Sequence, residues 1–246
     1  IEGDSGDTTT DIASQTVDSQ LAQGVNAIIG AASSGVSLTV IDKITTNGVV
    51  QFSPANTAPN LTTYEDNGLY FRNAPSDVLQ GAVLAGKAID AGIANMATIA
   101  RQDPYGEGLA AAVVKDFTAA GGNITSELLY DPAAPSFEAE VAEIVAGAPE
   151  AVVVVGFDES TKLIQEMIKQ GAGPDKIQLY LVDGNASTTA FAEFPAGTMT
   201  GTVATFPSGS VDVTTFNDRM LAFDPSLTDF LYGPQSFDAT MLIALA

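Results

Sequence analysis

The 246-residue chain carries 9 Lys+Arg against 30 Asp+Glu, a formal net charge of −21, and has no His, Cys or Trp. Those absences exclude a thiol nucleophile, a Ser-His-Asp triad, a disulfide and an ordinary zinc or haem centre, leaving carboxylates as the metal ligands available. The acidic balance argues against nucleic acid and anionic membrane surfaces as partners, and a sequence pI of 4.1 suits a soluble protein in a salty or extracellular setting.

At 46% hydrophobic and 16% charged residues, the composition supports a folded core, and the length suits one large domain or two ordinary ones. No run approaches the roughly 20 apolar residues that span a bilayer, and the start lacks a signal-peptide pattern. Ile1-Glu2-Gly3-Asp4 reads as a strand tail entering a loop, and 239–246 as a helix stopped midway, so both ends read as those of a trimmed chain.

In chain order, a helical pattern at 10–23 precedes a β-rich run at 25–30. A helix at 34–46 opens with Ser33-Ser34, residues suited to an N-cap, and strands follow at 49–54 and 69–74. A helix at 77–91 leads to a strand at 96–101. The helix at 106–120 stops at Gly121-Gly122, and a strand follows at 124–130. Helices at 137–146 and 160–170 flank Ala151-Val152-Val153-Val154-Val155, and the last strands are expected at 177–183 and 202–207. Strands apolar at nearly every position belong in parallel sheets covered on both faces, so the alternation predicts an α/β, doubly wound architecture. Eight strands could form one sheet, but strand ends at Phe71–Asp77 and Phe206–Ser210 mark two places where the chain could change lobe.

Several motifs carry possible chemistry. Gly3-Asp4-Ser5-Gly6 resembles a protease nucleophile segment, but without His it reads as a loop. Gly106-Glu107-Gly108-Leu109-Ala110-Ala111 fits a dinucleotide fingerprint, except that Gln102–Tyr105 separate it from the strand, so helix entry is the favoured reading over an NAD-dependent enzyme. The small residues Gly30–Ser37 lie at a helix start, which is either a plain N-cap or an anion site suited to a carboxylate. Ser53–Pro59, after the next strand, is either a Pro-rich turn or a second ligand loop beside it. Tyr105, Phe157 and Asp183 also follow strands; Asp183 suits a ligand ammonium or a turn cap.

Five segments, Ala27–Ser37, Gln51–Thr62, Tyr70–Asp77, Asp103–Gly108 and Ser236–Ala239, together resemble the type I periplasmic binding proteins, specifically the leucine/isoleucine/valine-binding components of ABC transporters. The resemblance covers the whole chain. It implies two doubly wound lobes with a ligand in the cleft: about 1–74 plus 209–246, lacking the lobe's first strand and helix, and about 75–208, with hinges at Pro75 and Pro207-Ser208.

By resemblance, Ser34 holds the ligand α-carboxylate through backbone and hydroxyl. Ala55 offers its carbonyl to the α-ammonium, and Thr57 its N–H and hydroxyl to the carboxylate. Tyr105 closes over the ligand from the other lobe, and Phe157 replaces a frequent Tyr. Asp183 pairs with the ammonium where relatives often have Glu, a reach shorter by about 1.5 Å. The family needs neither metal nor cofactor and is not catalytic. Its members deliver amino acids to an ABC permease from the periplasm or cell surface, here with a lipid anchor upstream of Ile1 as one possibility. Sensing of amides, urea or aromatic acids is the alternative.

Overall fold

The computed structural model describes residues 1–206 and 213–246. The chain divides into two compact units, Ile1–Ser76 with Ser208–Ala246, and Asp77–Pro207. The eight expected strands form two parallel sheets, not one. The expected return crossover at Pro207-Ser208 lies outside the described residues.

In the first unit, α1 (Ile12–Ala22) leads to β1 (Ala27–Ile29), α2 (Ser34–Thr46), β2 (Val50–Ser53), a 3-10 turn (Pro59–Thr63) and β3 (Tyr70–Arg72). The strands pair in the order β1-β2-β3, with Ile29 opposite Phe52 and Ser53 opposite Arg72. Helical spacing in α2 puts Val36, Val40 and Ile44 on one face, where they bury against Ala13 and Val17 of α1. Ile41, on another face, packs with Ala58, Leu61 and Tyr70, which anchors the segment after β2.

The second unit runs α3 (Asp77–Asp90), β4 (Asn95–Arg101), α4 (Pro104–Ala119), β5 (Asn123–Tyr130), α5 (Glu138–Gly147), β6 (Ala151–Val155), α6 (Ser160–Lys169), β7 (Gln178–Leu181), a short α7 (Thr188–Ala192) and β8 (Val203–Ala204). Its parallel sheet has the order β5-β4-β6-β7-β8. Period-two alternation explains why β6 is apolar throughout: Val152 and Val154 face one cluster with Val141 and Leu163, while Ala151, Val153 and Val155 face another with Leu84 and Leu109. Ile99 of β4 and Leu181 of β7 join the first cluster, and Ala100 and Tyr180 the second, so helices cover both faces.

The final strand is two residues long, shorter than the run at 202–207 suggested. The chain then returns to the first unit through α8 (Thr214–Phe223) and α9 (Gly233–Leu245). Among the described residues, no helix is long and apolar enough to cross a membrane.

Candidate functional site

The first unit brings two loops together at the carboxyl ends of β1 and β2. Ser33 caps α2, its hydroxyl accepting from the Val36 N–H at 3.4 Å. The first turn of a helix has no carbonyls upstream for its N–H groups, so the start of α2 favours an anion. Asn56 ties the second loop to the first, its Nδ2 donating to the Ala31 and Ala32 carbonyls at 3.1 and 2.8 Å. Ser53 adds a bond from its hydroxyl to the Ala31 carbonyl at 2.7 Å. Tyr70 donates to Asn56 Oδ1 at 2.9 Å, and Arg72 Nη1 to the Ala58 carbonyl at 2.9 Å. Burial of the Tyr70 ring pushes its hydroxyl well above the usual tyrosine range, so it stays a donor.

Within this frame Ser34 Oγ accepts from the N–H groups of Thr57 and Ala58 at 3.1 and 3.2 Å. A serine hydroxyl has two acceptor positions and one proton. Both acceptor positions are filled, so Ser34 has only a proton to offer. The resemblance assigned the Thr57 N–H to a ligand carboxylate, whereas in the structure it serves Ser34. The Thr57 hydroxyl, in a residue only 1% exposed, has no hydrogen-bond partner among the described residues. Ala55 is buried in the same loop, its N–H donating to Ser53 Oγ at 3.3 Å. Ser34, Ala55 and Thr57 are therefore brought together.

The second unit gathers the other three expected residues. Its sheet order reverses at β4, with β5 on one side and β6 on the other, and ligands of open α/β sheets bind at such a switch point. Tyr105 follows β4 and Phe157 follows β6, flanking that point. Their rings stack with centroids 5.3 Å apart and planes 3° from parallel. Asp103 caps α4 by accepting from the Gly106 N–H at 2.8 Å, which fixes the turn that carries Tyr105.

Asp183, after β7, is 4% exposed, and its Oδ1 accepts from the Tyr105 hydroxyl at 3.1 Å and Gln80 Nε2 at 2.8 Å. Gly184 lets the Phe157 ring lie close, since a Cβ there would stand 2.7 Å from Phe157 Cδ1. The resemblance has Tyr105 close over a ligand; here its hydroxyl is also a ligand of Asp183.

The glycine pattern at 106–111 lies inside α4, which begins at Pro104, as helix entry requires. A Cβ at Gly106 would stand 2.1 Å from the Arg101 carbonyl, so this glycine serves close packing. Among the described residues, no cluster of three or more His, Cys, Asp or Glu could hold a metal. Sequence reasoning missed Gln80, Arg101 and Glu159. The one signal among these was Arg101, a cation closing a mostly apolar strand.

Parallel α/β units that present small polar loops at strand ends are an architecture suited to holding a small ligand. The chain belongs to the periplasmic binding protein family, whose model matches residues 1–246. It is 31% identical over 162 residues to the uncharacterized protein MJ1266 of Methanocaldococcus jannaschii, covering 62% of this chain and 39% of that one. It is 30% identical over 234 residues to the Leu/Ile/Val-binding protein homolog 1 of Brucella abortus, covering 92% of this chain and 60% of that one. The chain thus spans between 39% and 60% of the length of these relatives.

The fold is similar to that of the leucine binding protein LivK of Thermotoga maritima, with a TM-score of 0.83 at 21% identity over 96% of this chain and 67% of that one. It is also similar to a solute binding protein of an ABC transporter from R. palustris in complex with 4-hydroxybenzoate, with a TM-score of 0.84 at 13% identity over 96% and 66%. The family and fold are those of solute-binding proteins, which are not enzymes.

Proposed function

We propose that the chain is the extracytoplasmic solute receptor of an ABC importer, binding an amino acid or related small carboxylate. The observation that carries this reading is the Ser34–Thr57 arrangement: a serine hydroxyl left only its proton to give, beside a buried threonine hydroxyl without a partner among the described residues, at a helix start. Two hydroxyl donors there suit a carboxylate. In the second unit, the Asp183 carboxylate supplies the charge for an ammonium, and the stacked Tyr105 and Phe157 rings supply an apolar surface. Relatives named as Leu/Ile/Val-binding homologues support an amino acid.

A second reading, an aromatic acid, is favoured by the flat Tyr105–Phe157 stack and by fold neighbours in complex with 4-hydroxybenzoate and 3,4-dihydroxybenzoic acid. Calorimetry of the 246-residue chain with L-leucine and with 4-hydroxybenzoate, repeated on Asp183→Asn, separates the two. The amino acid is expected to bind and to lose at least about tenfold in affinity in the variant, as a charge-assisted bond is removed. A benzoate has no ammonium and should be far less affected. Unaltered leucine binding by Asp183→Asn would refute the assignment of the ammonium to Asp183.

A further inference from the structure

Among the described residues, Arg101 is the largest fully buried side chain, and it is none of the expected ligand-binding residues. Placing a guanidinium in a core is unfavourable unless its charge is paired, and a hydrophobic residue of similar volume often serves stability as well. Arg101 closes β4 behind Ile99 and Ala100, where the cores on both sides are apolar. Its presence therefore calls for a task that an apolar side chain would not perform.

The geometry identifies that task. Arg101 Nε donates to Asp103 Oδ2 at 2.7 Å and Nη1 to Glu159 Oε1 at 3.1 Å. The same Glu159 oxygen accepts from the Tyr130 hydroxyl at 2.9 Å and the Phe157 N–H at 3.2 Å. The cation thus joins the segments that follow β4 and β6, and Glu159 extends the tie to Tyr130 at the end of β5. The guanidinium also lies over the Phe157 ring, with Cζ 4.2 Å from its centroid. Phe157 is held at its backbone by Glu159, and its ring meets both Arg101 and Tyr105.

We infer that Arg101 is a positioning residue of the solute site, fixing the plane of Phe157 and, through the stack, of Tyr105, whose hydroxyl reaches Asp183. This deepens the proposed receptor function and rests on it for the consequence in binding. Lysine at position 101 would keep a cation near Asp103 and Glu159 but lose the flat face that stacks on an aromatic ring and the fork that bonds two carboxylates at once.

The test is fluorine NMR on the full 246-residue chain with 4-fluorophenylalanine at its phenylalanines, the Phe157 signal being assigned by its loss in Phe157→Leu. In Arg101→Lys, folded by far-UV circular dichroism, the Phe157 signal should shift and broaden while the resonances of distant phenylalanines stay in place. Calorimetry with L-leucine and 4-hydroxybenzoate should then show affinity reduced by about tenfold for whichever binds the wild type. An unmoved Phe157 signal in Arg101→Lys would overturn the inference, as would a moved signal with affinity unchanged. Arg101→Met removes the charge as well and should move the signal at least as far. If neither probe binds the wild type, the receptor reading fails for those solutes, while the fluorine signal still decides whether Arg101 positions the ring.

Discussion

The two units hold their candidate ligand loops by different means. In the second, β4, β6 and β7 are covered on both faces, and Tyr105, Phe157 and Asp183 stand at the ends of strands already fixed by an apolar core. In the first, the strands are three or four residues long, and Ile29 and Phe71 are exposed. There the loops of Ser34 and Thr57 are held mainly by side-chain to backbone hydrogen bonds that converge on Asn56. A core distributes its stabilisation over many contacts, whereas a polar hub concentrates it in one side chain. Rigid loop geometry near a ligand can therefore come from either route, but with opposite sensitivities to substitution.

The largest expected effect lies in the second unit's core. Phe117 of α4 is fully buried, and Phe117→Ala should cost about 3–5 kcal/mol, read as a lowered urea midpoint. Asn56→Ala comes next. It strips partners from the Ala32 carbonyl and the Tyr70 hydroxyl and one of the donors to the Ala31 carbonyl, for about 2–3 kcal/mol. If Asn56→Ala were as mild as a surface change, the polar-hub account of the first unit would fail.

Thr57→Val sharpens the contrast further because it separates structure from binding. The Thr57 hydroxyl makes no hydrogen bond among the described residues, so its replacement by a methyl should leave the urea midpoint unchanged or slightly raised. Binding of a carboxylate solute should weaken by about tenfold, the loss of one hydrogen bond to a charged group. A destabilised Thr57→Val with unaltered affinity would assign this hydroxyl to the fold instead of the ligand.

Much of this frame was legible in the sequence, for physical reasons. Ala151–Val155 could be read as a strand covered on both faces because every position is apolar, and the structure divides those residues between two clusters. α6 was legible because Leu163, Ile164 and Met167 recur on one helical face. α8 was not read from the sequence: Phe216, Met220 and Phe223 do recur at helical spacing, but they are flanked by Asn217, Asp218 and Arg219, and none of its residues is buried. β8 was overestimated because the apolar run at 202–207 extends past the two residues that pair with β7. The partners that complete the site were hidden for another reason. Glu159 lies 58 positions from Arg101, and Asp183 lies 103 positions from Gln80, so only the fold brings them together. A charged residue at a strand end reads as exposed until its distant partner is known.

The smallest expected effect concerns the opposite end of the second unit's sheet. Glu150, just before β6, accepts from the Ala94 and Asn95 N–H groups through Oε2 at 2.7 and 2.8 Å, at the start of β4. Those backbone bonds hold its carboxyl below the usual glutamate value of 4.5. A carboxylate whose folded pKa is depressed adds stability above its unfolded pKa, and that stability disappears as the pH falls through the folded value. The side chain is solvent-exposed, so the effect is small and screened by salt. Glu150→Gln should therefore melt slightly below the wild type at pH 7, with the gap closing as the pH is lowered past about 4.5, while the remaining carboxylates titrate alike in both proteins. Solute affinity should not change, because this tie stands at the amino ends of β4 and β6 and Asp183 stands at a carboxyl end. A melting-temperature gap that persisted at pH 3 would show that the carboxylate charge is not what joins these two strands.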